Sequence, residues 1–239
     1  MNDLLFDLYS RYWDGFMENV YRPYFGRCAY PFLIQVPEHY ENATKRVMIC
    51  GQETQGWGKS KNPDTVSIKD LQLMYYNFMD KQVWRKEKHT DSKRKKSSPY
   101  WNFNKRMAKS NPDVGFIFQN VVKVGKYENA GCDNEIYKLA KQYFPTWLDE
   151  LKILKPDLII FLSGDYDWRI REVVGDFEKT RISENLFLDE LHFENPLIPK
   201  AYRTNHPGWL QRNKRYFQTA EIMSDIIKNV YEQSISEGS

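Results

Sequence analysis

Apolar residues follow two rhythms along the chain. Leu4, Leu5, Leu8, Tyr12, Phe16 and Val20 recur at helical spacing, predicting an amphipathic helix over residues 3–20. The same period predicts helices over 68–84, 99–109, 136–154 and 212–232, the third interrupted or restarted at Pro145. Between them lie short unbroken apolar runs of strand length: residues 46–50, "GFIFQNVV" (115–122) and "KPDLIIFLSG" (155–164). Shorter strands are predicted near 185–188 and at "KAYRT" (200–204).

Unbroken apolar strands alternating with helices predict a parallel sheet covered on both faces. Ligands of such sheets sit outside the carboxyl ends of the strands. Gly51-Gln52-Glu53, Gln119-Asn120, Ser163-Gly164-Asp165 and Asn205-His206 all fall at or just past predicted strand ends. Glu53, Asn120 and His206 are therefore expected on one rim.

At 239 residues with 41% apolar and 15% aromatic content, the chain can form one large domain, and no Gly-, Ser- or Pro-rich linker divides it. Cys28, Cys50 and Cys132 form no CxxC pair, which argues against a disulfide framework or a Cys-ligated metal and suits a reducing, cytoplasmic setting. The four histidines lack metal-ligand spacing, so no metal is expected. The opening "MNDLLFDLYSRYW" carries acids where a signal peptide is basic, and no run reaches the roughly 18 apolar residues that span a bilayer.

Each rim residue has a plain role as well as a chemical one. Glu53 can orient a water or act as a base, or be an ordinary loop glutamate. Asn120, inside an apolar strand, can satisfy nearby backbone or read a ligand edge with its donor and acceptor. His206 can lie exposed in its loop or donate to a developing negative charge. Asp165 and Asp167 can form a second acidic site or cap the helix entered near Trp168, and capping is the expectation.

Net charge is only +3, but residues 81–109 gather eleven Lys or Arg against Glu87 and Asp91. Trp84, Tyr100, Trp101 and Phe103 are interleaved. Such a block can be a solvated loop, or a phosphate-contact zone with aromatics for bases to stack on.

Taken in order, four stretches resemble the uracil-DNA glycosylase superfamily. "GQETQG" (51–56) is similar to its GQDPYH motif, and "FIFQNVVKVG" (116–125) to the strand ending in the base-reading asparagine. "PDLIIFLSG" (156–164) resembles the strand with a Leu-Leu-Trp-Gly-like end, and "NHPGWLQR" (205–212) resembles HPSPLS. The resemblance implies a single three-layer α/β/α domain over 1–239, with a central, mainly parallel four-stranded sheet and a basic insertion around 81–109.

It also implies roles. Glu53 falls where the family positions the attacking water, and His206 where it stabilises the departing base. Gln52 and Asn120 fall at base-binding positions, with Gln55 and Trp57 as pocket or stacking candidates. Leu210 stands where the family fills the gap left by a flipped nucleotide. Trp209, Arg212, Ser98 and Tyr100 are expected at the DNA surface, as are Lys93, Arg94, Lys95 and Lys96. The implied activity is hydrolysis of the N-glycosidic bond of a flipped base, without cofactor or metal, by a monomer on single- or double-stranded DNA. A silent nucleic-acid-binding member and a hydrolase of free nucleosides are the alternatives. Thr54 and Gln55 replace the family's Pro and Tyr, and Gly208 and Trp209 its Ser and Pro, which argues against strict uracil specificity and leaves open a uracil-like base, a larger, modified or damaged one, or a divergent member that has lost activity.

Overall fold

The computed structural model describes residues 1–59, 61–84 and 98–236, with side chains to residue 230. Lys93, Arg94, Lys95 and Lys96, the centre of the basic block, lie outside the described residues.

Helix α1 (Asn2–Phe16) buries Leu5, Leu8, Tyr9 and Phe16, then widens into a π-helical turn at Met17–Tyr21. The predicted opening helix is thus α-helical for all but its last turn. A short α2 (Glu38–Glu41) precedes the first strand, β1 (Arg46–Glu53). Helix α3 (Ile68–Met79) starts at a capping box, Ser67 with Asp70, and passes into a second π-helical turn at Asp80–Trp84. Then come α4 (Pro99–Ser110) and β2 (Gly115–Val122). Pro145 separates α5 (Asn134–Tyr143) from α6 (Trp147–Leu154), the break its ring imposes. Strand β3 (Leu158–Leu162) and α7 (Asp167–Val173) follow. A hairpin of β4 (Phe177–Ser183) and β5 (Leu188–Phe193) leads to β6 (Lys200–Thr204), α8 (Pro207–Arg212) and α9 (Tyr216–Ser236).

The sheet has six strands in the order β2-β1-β3-β6-β5-β4, not the four expected. Its first four are parallel, and β5 and β4 extend it antiparallel beyond β6. The hairpin escapes sequence reading because "FEKTRIS" has only Phe177 buried and its interior residues exposed. The strand predicted at 185–188 is mostly the hairpin turn, and only Leu188 belongs to β5. Charged side chains along β4 blunt the open edge of the sheet.

Successive strand residues point to opposite faces. Gln119 bonds Glu150 of α6, whereas the next residue, Asn120, lies over Gly51 beside Tyr100 of α4. Helices therefore cover both faces. Among the described residues, no helix is long and apolar enough to cross a membrane.

Candidate functional site

Because β2, β1, β3 and β6 run parallel, their carboxyl ends open on one rim. Gly51 pairs in register with Asn120 across β1 and β2. A Cβ at Gly51 would lie 2.6 Å from Asn120 Oδ1 and 3.0 Å from Tyr100 Oη, so both oxygens converge on this glycine. Glycine leaves room here for the close approach of two side chains. The Tyr100 ring in turn stacks on His206, with centroids 5.5 Å apart and planes 20° apart. Burial raises the Tyr100 phenol above its ordinary value. Gly51, Asn120, Tyr100 and His206 form one contiguous set, in which half-buried Tyr100 links the glycine to the imidazole.

These contacts give a first prediction. Gly51→Ala pushes on two flexible side-chain ends, not on backbone, so stability should change by no more than about 1 kcal/mol. Any base-directed activity should fall at least tenfold, because Asn120 and Tyr100 are displaced. Unchanged kinetics in a folded Gly51→Ala protein would mean the convergence is incidental.

His206 is the N-cap residue of α8, and its Nδ1 accepts the Gly208 N–H at 3.1 Å. A neutral ring with Nδ1 so occupied carries its proton on Nε2. Burial, and then the cationic Arg212, lower its pKa below the usual imidazole value, favouring that neutral form. The sign for stability follows. The unfolded chain binds the proton first as pH falls, so His206's contribution is present above the ordinary imidazole value and lost through its lowered one. Arg212→Ala should move the His206 titration upward while leaving it below an unperturbed imidazole, since burial remains. A proton NMR titration checks this, and an unmoved or lowered midpoint would remove Arg212 from the electrostatics.

Glu53 is firmly held. Tyr166 Oη donates to Oε2 at 2.7 Å, and the Gly131 backbone N–H donates to Oε1 at 2.9 Å. Burial, then the bond to Glu53, raise the Tyr166 phenol. Glu53 thus bridges the loops that follow β2 and β3, and among the described residues its side-chain hydrogen bonds go to Tyr166 and Gly131 and not to Asn120 or His206. Gln52 Nε2 donates to the Ser163 carbonyl at 2.7 Å, tying the ends of β1 and β3. Arg203 steadies the β3–α7 loop by donating to the Gly164 carbonyl at 2.7 Å, and it pairs with Asp189 and with Asp167, the latter at 3.2 Å.

Asn120 is anchored from behind. Its backbone N–H donates to Gln119 Oε1 at 2.9 Å, and Gln119 Nε2 donates to Glu150. Glu150 is fully buried and also pairs with Lys123 and accepts from Thr146 Oγ1 at 3.3 Å. Burial is the main cause that raises the Glu150 pKa and lowers that of Lys123. An apolar cleft of about 190 Å³ beside this pair, between the end of β2, α5 and α6, shares no lining residue with the Gly51 set.

Several expected residues sit elsewhere. Leu210 is fully buried, so it is a core residue of α8 and not an exposed gap filler. Gln55 is exposed and donates to the Glu128 carbonyl at 2.6 Å, which fixes its loop. Trp57 packs edge-on against Phe32 and Phe78, at 4.8 and 5.4 Å, which makes it part of the packing rather than an open stacking platform. Ser98 caps α4 through the Trp101 N–H, and half-buried Trp209 packs on Phe187. Asp165 and Asp167 do not cap α7: its N-cap is Tyr166, with no side-chain bond, and Asp167 instead pairs with Arg203 and Lys179.

Tyr166, Arg203, Lys123 and Glu150 were not anticipated. Lys123 had a signal, a charge within the apolar run Val121-Val122-Lys123-Val124. Among the described residues, no group of three or more His, Cys, Asp or Glu side chains is placed to hold a metal. In comparison with known proteins, the chain matches no family model and no curated protein.

Proposed function

We propose that the protein is a DNA base glycosylase, hydrolysing the bond between an extruded base and its sugar. The observation that carries this reading is the His206 imidazole, whose Nδ1 is engaged by the Gly208 backbone N–H and whose ring stacks on Tyr100, the residue that meets Asn120 over Gly51.

The chemistry needs three things: a base held by its edge, a stabilised leaving group and an aimed water. Asn120 supplies a donor and an acceptor from one amide. As the C1′–N bond breaks, its electron pair goes to the base, and the Nε2–H of His206 stabilises the resulting anion. Glu53 stabilises the cationic sugar, orients a water at C1′ and takes up its proton. A carboxylate offers about four lone-pair positions, and Tyr166 and Gly131 use two, which leaves room for that water.

A second reading has its own support. Tyr100 occupies the space between Gly51, Asn120 and His206, as it would in a silent nucleic-acid-binding protein whose pocket is filled. Oligonucleotides carrying uracil, hypoxanthine or modified cytosines, single-stranded and duplex, separate the two. Abasic sites after incubation favour the glycosylase, and binding without release from any of them favours the silent binder.

A further inference from the structure

A cleft of about 490 Å³ lies beside the His206 helix, between the start of α4 and the α8–α9 junction, lined by Pro99, Asn102, Arg106, Gln211, Lys214 and Phe217. Three features of it are unlike an ordinary solvated face. First, Phe217 is 62% exposed, a large apolar ring that the fold does not bury. The Arg106 guanidinium lies over that ring, 4.8 Å from its centroid, which holds the cation at the cleft. Second, among the described residues no carboxylate lies within ion-pair distance of Arg106, Arg212, Lys214 or Arg215. Among the described residues these positive charges have no acidic partner.

Third, Lys214 adopts a left-handed backbone, with φ +58°. The Lys214 N–H bonds the Gln211 carbonyl and the Arg215 N–H the Leu210 carbonyl, the closure that ends α8. Glycine is the favoured residue at such a position, and a lysine there stands at a conformational cost. That turn places Lys214 in the lining of the cleft that Arg106 also lines.

The cleft is continuous with the rim. Tyr216 Oη donates to the Pro99 carbonyl at 3.2 Å, docking the start of α9 on the residue before Tyr100. Gln211 lies five residues along α8 from His206, roughly 8 Å at the helical rise. Arg212 spans the gap, with its guanidinium close to Gly208 and His206.

We propose that this cleft is a binding site for the sugar–phosphate backbone of a DNA strand flanking the candidate site, with phosphates on Arg106 and Lys214 and a base stacked on the free face of Phe217. The paired cations match phosphate charge, and the exposed ring offers a stacking surface that every base can use. An acidic peptide would be served by the cations alone and would leave Phe217 without a role. The inference deepens the glycosylase reading, because it assigns the path of the strand beside the site.

The test is fluorescence anisotropy of the full chain with a labelled single-stranded oligonucleotide across a salt series. Arg106→Ala, Lys214→Ala and Phe217→Ala should each weaken binding about tenfold. Each charge removal should also flatten the slope of log affinity against log salt by about 0.7. Phe217→Ala should leave that slope unchanged. Lys214→Gly guards against a folding artefact, since it relieves the left-handed strain and should be at least as stable as wild type while binding more weakly. Wild-type affinity and slope in the charge variants, or equally tight competition by polyglutamate, would overturn the proposal. Base release is scored separately on saturated complexes. Weakened binding in a protein that releases no base would uphold the cleft and refute the glycosylase reading, and wild-type binding with release would do the reverse.

Discussion

Replacing Glu150 by alanine is expected to lower the unfolding free energy by about 3–5 kcal/mol, because it leaves the Lys123 ammonium buried without its partner. The loss is larger than a surface pair would give, since exposed pairs contribute about 0–1 kcal/mol. Two consequences separate this from a simple cavity. The double change Lys123→Met with Glu150→Leu should recover most of the stability, as removing both charges also removes their desolvation cost. The single variant should also loosen Asn120, whose backbone N–H rests on Gln119, itself bonded to Glu150. Urea unfolding of the three proteins measures the first effect. Equal instability in the single and double variants would show that packing, not charge, is what Glu150 provides.

The second large effect concerns His206. His206→Ala should slow base release by about 10²–10³-fold, the loss found when one fixed donor to a developing anion is removed, with little change in DNA affinity. A structural role alone would also predict a slower enzyme, so the pH profile decides. With the imidazole pKa held low by burial and Arg212, release should persist into acid below the ordinary imidazole value. It should then fall as the ring is protonated, because an imidazolium would lose its acceptor bond from Gly208. That acid limb should vanish from the residual activity of His206→Ala. A limb at the same pH in both proteins would assign it to another group.

The parallel part of the sheet is legible in the sequence because its strands are unbroken apolar runs, and β2 runs from Gly115 to Val122 as its pattern predicts. Gly51, Asn120 and His206 are found together for the same reason: strand ends in a parallel sheet share a rim, whatever their separation along the chain. The hairpin β4–β5 is not legible, since its outer strand buries only Phe177 and so carries no apolar run. Leu210 misleads in the opposite way. A leucine in an exposed-looking loop motif becomes core once that loop winds into α8 and turns one side inward. The stacking of Tyr100 on His206 is not legible either, because charge along the chain does not reveal that the first turn of α4 brings its ring there. The partners of Glu53 come from residues 78 and 113 positions away, a separation that no local pattern encodes.

Glu53 and His206 are proposed to act on opposite partners of one breaking bond, the sugar and the base. Single-turnover release of free base, followed by mass spectrometry on wild type and Glu53→Gln with the oligonucleotide panel, tests this most directly. Free base and abasic strand should appear in equal amounts from at least one substrate. Glu53→Gln should be at least about 100-fold slower while still binding the same strand. Tight binding with no free base from any substrate, or a Glu53→Gln protein as fast as wild type, would contradict it.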